Sequence, residues 1–356
     1  MAAIEYGERL DAPGITRVAD TFTGVLLRPD PTDGGVHAIF NAPLLSINGG
    51  KSFLLLPRVM TRKQNPGIAD STAFFGVYEV APGSKNSPRR LSSLEIDAIR
   101  GDGISHQENS HPNIEDIRLT RLADGFSYAA GATAEINGQP FPACFQIEYG
   151  PDGIRVSSPI EFMTGLPPGK NVLMLNWNSA IYRPESFDNG LAVVTQDPQT
   201  LQWRIKKEIV FPPLEGIKGK ARIGLTGGER IPMANGNFRL IMHVVDHIPQ
   251  LNTNYHISTY HFRLAEFSLD ANGLLELVAI DSKPMLTYEN VAAVVDPEGK
   301  VIRPDSHKAV IYSVGGVIYQ KENGEKSECL FLPVTFEDQL IGLFDIPLEL
   351  LQLPFE

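Results

Sequence analysis

Cysteine is almost missing from this chain: among 356 residues only Cys144 and Cys329 occur, far apart and without ligand-like neighbours. That argues against a disulfide-stapled secreted scaffold and a cysteine-based zinc site. The expectation is two free, buried thiols in a reducing cytoplasm, with a single bridge between them as the alternative. Long apolar runs are missing too, and no stretch approaches the roughly 20 residues needed to cross a bilayer. At the N-terminus, Met1-Ala-Ala-Ile-Glu-Tyr-Gly-Glu-Arg-Leu10 has no basic segment followed by an apolar run, so no secretory signal is visible. Cations are in deficit, 31 Lys plus Arg against 42 Asp plus Glu, for a net charge of −11. Nucleic acid and anionic membrane are poor partners for such a chain, whereas a neutral or polar small substrate is not. Helical periodicity is weak everywhere except for a turn or two near Leu94–Ile99 and around Pro347–Leu351. A doubly wound α/β fold needs amphipathic helices between its strands, and they are lacking.

What is present is punctuation and short strands. The 32 glycines and 27 prolines are spread over the whole length, and no composition shift marks a domain boundary, so residues 1–356 read as one domain. Strand-like runs recur at Gly24–Arg28, Ser52–Val59, Ala73–Val80, Phe141–Tyr149, Asn171–Leu175, Leu191–Thr195, Phe238–Val245, Tyr255–Leu264 and Ala309–Val314. Turn signals such as Asn48-Gly, Asp124-Gly, Asn137-Gly, Asn235-Gly and Glu322-Asn-Gly separate them. The fold class is all-β. Among sandwich, barrel and propeller, the long series of short meanders without disulfides, with polar motifs recurring at strand starts, favours a β-propeller, whose blades send loops to one central funnel.

The densest chemistry lies in Asn109-Ser-His-Pro-Asn-Ile-Glu-Asp-Ile-Arg-Leu-Thr-Arg-Leu122, flanked by His106 and containing His111. The Asp124-Gly125 turn behind it predicts a hairpin. Adjacent residues on a strand point to opposite faces, so of Glu115 and Asp116 one can be held by a cation such as Arg118 while the other faces a cleft. A second polar stretch, Asn176-Trp-Asn-Ser-Ala-Ile-Tyr-Arg183, offers Trp177 and Tyr182 as flat faces for a pyranose. His243 and His247 are four apart in a strand-like run, which puts them about 13 Å apart and speaks against a metal site.

The order of several motifs carries a resemblance. Phe40-Asn-Ala-Pro43, Phe53-Leu-Leu-Leu-Pro-Arg-Val59, Ile114-Glu-Asp-Ile-Arg-Leu-Thr120, Asp197–Trp203, Arg222-Ile-Gly224 and Leu240-Ile-Met-His243 together resemble glycoside hydrolase family 130 over about residues 35 to 320. The resemblance implies a five-bladed propeller that cleaves β-mannosides with inversion, mostly by phosphorolysis and in some members by hydrolysis. It implies Asp116 as the catalytic acid, and substrate contacts from Asn41, Arg58, Glu115 and Arg118. Trp203 becomes a buried anchor between blades. No metal or cofactor is implied, with inorganic phosphate as co-substrate, an oligosaccharide or disaccharide as partner, and room for a homo-oligomer.

The sequence departs from the family at Ile117, where proline is usual, at Ile311-Tyr-Ser-Val-Gly-Gly316, where a late aspartate is gone, and in lacking an Arg-Asn pair after the acid. Inverting cleavage needs either converging cations for phosphate or a second carboxylate for water. The first option points to Arg183, Arg222 and His243, the second to Glu185, Glu229 or Asp246. A non-catalytic sugar-binding propeller is the competing reading.

Overall fold

The computed structural model describes residues 18–28, 36–47, 50–61, 74–81, 88–95, 99–100, 113–125, 127–136, 138–151, 153–187, 189–249, 256–298, 308–323, 325–337 and 339–355. They form a five-bladed β-propeller of five mostly antiparallel sheets. The first described strand is β1 (Phe22–Leu27), which belongs to the last blade. The first blade holds β2 (Val36–Phe40), β3 (Leu44–Ile47), β4 (Ser52–Leu55), β5 (Arg58–Thr61), β6 (Phe74–Val80) and β7 (Arg89–Glu95). The second holds β8 (Ile99–Arg100), β9 (Asn113–Arg121), β10 (Ser127–Ile136), β11 (Gln139–Gly150), β12 (Gly153–Val156) and β13 (Ile160–Phe162). The third is a four-stranded meander, β14 (Gly169–Asn176), β15 (Ser179–Pro184), β16 (Gly190–Gln196) and β17 (Trp203–Val210).

The fourth blade comprises β18 (Lys220–Leu225), β19 (Ile231–Pro232), β20 (Phe238–Pro249), β21 (His256–Leu269), β22 (Leu275–Ile280), β23 (Leu286–Thr287) and β24 (Lys308–Ala309). Helix α1 (Tyr288–Val295) interrupts it, with a capping box made by Thr287 and Asn290. The fifth has β25 (Ile311–Tyr312), β26 (Val317–Asn323), β27 (Glu325–Phe336) and β28 (Leu340–Pro347), followed by α2 (Leu348–Leu351). Of the helical turn expected near Leu94–Ile99, Leu94 and Glu95 end one strand and Ile99 starts another, and residues 96–98 lie outside the described residues.

Alternating apolar residues on each blade meet those of the next, so the core is divided into five interblade clusters. Leu45, Leu54, Ile114 and Phe145 lie between the first and second blades. Val172, Met174, Cys144 and Trp203 lie between the second and third. Leu173, Ile223 and Phe267 join the third and fourth, Phe262, Leu332 and Phe344 the fourth and fifth, and Phe53, Phe331 and Leu343 the fifth and first. Each large side chain buried this way contributes roughly 1.5–3 kcal/mol. Cys144 and Cys329 are free, buried and in different clusters. Burial pushes the Cys144 thiol up to about 12, so it packs as an apolar group.

Candidate functional site

The innermost strands of three successive blades each carry one extra residue. In the first blade Phe40 faces Arg58 and Leu44 faces Leu55, so Asn41-Ala42-Pro43 stand against Leu56-Pro57. In the second, Glu115 faces Thr133 and Arg118 faces Gly131, leaving Asp116 and Ile117 opposite Ala132. In the third, Lys170 faces Arg183 and Leu173 faces Ile181, leaving Asn171 and Val172 opposite Tyr182. The second and third are β-bulges and the first is the break between β2 and β3, and each opens on a non-glycine residue in the left-handed region: Asn41 at φ 52°, Asp116 at φ 54° and Asn171 at φ 60°. Asn and Asp tolerate that backbone better than other L-residues. A bulge re-aims its side chain, and here all three meet on the propeller axis.

Their contacts form one network. Asn41 Nδ2 donates to Asp116 Oδ1 at 2.6 Å, and the Tyr312 hydroxyl lies 3.1 Å from Asp116 Oδ2. Thr335 fixes Asn41 by accepting its backbone N–H at 2.8 Å. Arg118, fully buried, donates from Nε to Leu225 O at 3.0 Å, from one terminal nitrogen to Asp116 O at 2.8 Å, and from the other to Asn171 Oδ1 at 2.8 Å and to the Tyr312 hydroxyl. The ring of His243 packs edge-on against Tyr312, centroids 4.8 Å apart. Gly224 makes room for it, since a Cβ there would fall 2.3 Å from the imidazole and 2.5 Å from Asn171 Nδ2.

Glu115 and Asp116 are separated in role. Arg58 donates to Glu115 at 2.9 Å and Lys170 stands 3.9 Å from its other oxygen, so Glu115 is the carboxylate held by cations. Asp116 carries the carboxylate presented to the axis.

Beside this network lie Arg183 and Arg222. Arg183 is half-buried, and its guanidinium is held below the usual arginine range first by desolvation and then by the charge of Arg222. Lys170 is its direct cross-strand neighbour. Among the described residues neither arginine is in an ion pair or a hydrogen bond; Arg222 is exposed, and the exposed Glu185 is the acidic group that acts on Arg183. Like charges set together cost stability and suit an anion.

Four site residues expected from sequence are placed differently. Tyr182 is corrected: it is fully buried beneath the third bulge, its ring pressed on Gly169, and cannot stack on a ligand. Trp177 sits in the hairpin turn between β14 and β15, six residues beyond Asn171, and at roughly 3.3 Å per residue this is about 20 Å along the strand. It packs against the second-to-third blade cluster. Arg118 is enclosed and braces the other side chains instead of reaching a ligand. His243 is buried, and desolvation followed by the charges of Arg118 and Arg183 depresses its imidazole well below the usual range, so it supplies no positive charge.

The alternative carboxylates separate as well. Asp246 clamps the loop before β18 through the backbone N–H groups of Lys218 and Gly219, each at 2.8 Å. Glu229, whose carboxyl is raised by burial, accepts Ile318 N–H at 2.8 Å and lines a small cleft with Arg121 and Tyr128. Glu185 is exposed beside Arg183. His106 and His111 lie outside the described residues. Sequence reasoning missed Asn171, Tyr312 and Lys170; the recurring Asx-aliphatic-x-apolar pattern, Asn41-Ala-Pro-Leu, Asp116-Ile-Arg-Leu and Asn171-Val-Leu-Met, was the available signal.

No family model matches the chain. No curated protein matches it in sequence. Among solved structures, an endo-1,4-β-xylanase from Bacteroides thetaiotaomicron is 13% identical with a TM-score of 0.40, over 71% of this chain and 79% of that one. An α-L-arabinofuranosidase from Coprinopsis cinerea is 10% identical with a TM-score of 0.43, over 89% of this chain and 94% of that one. Another, from Podospora anserina in complex with cellotriose, is 12% identical with a TM-score of 0.44, over 90% of this chain and 96% of that one. Values this low leave the reading of the site to its own geometry.

Proposed function

We propose that this chain is a carbohydrate-active enzyme that cleaves β-mannosides or related glycosides with inversion, Asp116 acting as the acid and phosphate as the favoured attacking group. The observation that carries this reading is the Asp116 carboxylate held by Asn41 and Tyr312, with the Arg183 guanidinium close enough to interact electrostatically with Tyr312 and with Arg222. In the reaction, Asp116 passes its proton to the glycosidic oxygen as the C1–O bond breaks. An oxygen of phosphate attacks C1 from the opposite face and gives a sugar 1-phosphate of inverted configuration. Arginine suits phosphate because its planar fork binds two oxygens at once, and a dianion offsets the repulsion between the two cations. The choice of mannoside rests on the motif order that resembles family 130, which is an analogy at the level of family.

Hydrolysis is the second reading. It requires another carboxylate to activate water, and Glu185, exposed next to Arg183, is the candidate. A non-catalytic sugar-binding role is favoured by one observation: both Asp116 oxygens already have hydrogen-bond donors.

The test is a product assay on β-1,2- and β-1,4-linked mannosides with and without phosphate, separating free mannose from mannose 1-phosphate. Mannose 1-phosphate formed only with phosphate is the expected outcome. Free mannose in both conditions makes the chain a hydrolase, and binding without any product makes it a sugar-binding protein.

A further inference from the structure

We propose that Tyr312 is the positioning residue that lets Asp116 alternate between its two protonation states without leaving a buried group unpaired, an inference that rests on Asp116 being the acid. A phenol has one proton to give and two lone pairs to receive. Arg118 can only donate, and it occupies one of those lone pairs. The single phenol proton then has two acceptors within reach, Asp116 Oδ2 at 3.1 Å and Asn171 Oδ1 at 2.9 Å. Asn171 Oδ1 already accepts from Arg118 at 2.8 Å, so it stays satisfied when the phenol turns away.

Two complete arrangements follow. With Asp116 ionised, the phenol donates to Oδ2, a charge-assisted bond stronger than one to the amide. With Asp116 protonated, its proton sits on Oδ2, because Oδ1 faces the amide donor of Asn41. Either Oδ2 donates to the free lone pair of the phenol, or it turns to the substrate; in both cases the phenol proton moves to Asn171 by rotation about its C–O bond. No backbone shift is needed, and no buried donor or acceptor is stranded.

The charged and titratable groups facing the phenol are Asp116 and Arg118 from β9, Arg183 from β15 and His243 from β20. His243 stays neutral, and the phenol itself stays protonated because burial raises it well above the usual tyrosine range. The switch therefore moves one hydroxyl proton and changes no charge except that of Asp116.

Neutron diffraction on the intact deuterated protein tests this without any substrate. Across data sets collected at different pH, the phenol deuteron is expected on the Asp116 side wherever Asp116 carries no deuteron and on the Asn171 side wherever it carries one; one acceptor in both states overturns the proposal. Tyr312→Phe gives the second arm, with correct folding checked by circular dichroism. Its kcat/KM is expected to fall about 10²-fold on an aryl glycoside with a poor leaving group, the lower end of what a general acid supplies. A glycoside whose leaving group needs no protonation should be cleaved nearly as fast as by the native protein. Equal losses on both substrates would mean a merely structural tyrosine. If the native protein cleaves no glycoside, the function proposed above fails, and the deuteron positions alone decide the switch.

Discussion

Asn171 joins backbone and side-chain demands at a single position. Its left-handed backbone costs an ordinary L-residue about 1 kcal/mol, and its amide oxygen accepts from Arg118 and lies 2.9 Å from the Tyr312 hydroxyl. These demands separate in two variants. Asn171→Gly keeps the backbone and removes the acceptor, and a hydrogen bond to a buried charged group is worth about 1.5–3 kcal/mol. Asn171→Ala removes the acceptor and adds strain, so in urea unfolding it should be less stable than the glycine variant by about a further 1 kcal/mol. Equal stability of the two would contradict a left-handed Asn171.

Two histidines set an acid limb on stability. Burial depresses His243 well below the usual range and takes His261 down to about 3, with Arg263 adding to the second effect. The unfolded chain, titrating near 6.5, therefore binds protons before the folded one does. Stability is complete above pH about 6.5 and declines toward pH about 3, each histidine contributing roughly 1.4 kcal/mol per pH unit across the part of that window it spans. His261→Gln retains an acceptor for Arg263, whose Nε donates to His261 at 3.1 Å. Calorimetry across this window should show a shallower acid limb for that variant.

At the level of strands, much was legible and the decisive detail was not. Alternation and Asx-Gly turns gave most strands, and the Glu115-Asp116 split followed from strand geometry. The bulges did not, because one extra residue changes no composition, and the phase of alternation that it inverts is hidden in strands buried on both faces. Their effect reaches past their own blade: Gly131, opposite Arg118, meets Val172 of the third bulge so closely that a Cβ would lie 2.5 Å from the Val172 carbonyl oxygen. Gly131→Ala must then push the second and third blades apart, costing about 1–3 kcal/mol by overpacking. Because Arg118 and Asn171 sit on those two blades, turnover is expected to fall along with the melting temperature. A variant with lowered melting temperature and native turnover would show that blade spacing does not govern the site. Tyr182 was misread for a related reason: an aromatic among polar neighbours looks like a ligand wall until the bulge above it is known.

Closure of the whole ring depends on contacts no local pattern announces. The first described strand, β1, adds to the last sheet, Phe22 facing Phe344 and Leu27 facing Ile341, while Thr23 Oγ donates to Leu343 O at 2.9 Å. Val25 and Leu27 fill the cluster that joins the fifth blade to the first. The same joint lies near Asn41, which touches Thr335 of the fifth blade and Asp116 of the second, so ring closure and acid placement are mechanically linked. Removing residues 1–27 should cost about 3–6 kcal/mol from the two buried side chains alone, and should leave β28 as an open edge prone to pairing with other chains. A synthetic peptide covering residues 18–28, supplied in trans, should bind the truncated protein and raise its melting temperature, with turnover recovering in proportion to occupancy. Recovery of stability without turnover would separate closure from the site, and a truncated chain as stable as the full one and in the same oligomeric state would remove β1 from the closure altogether.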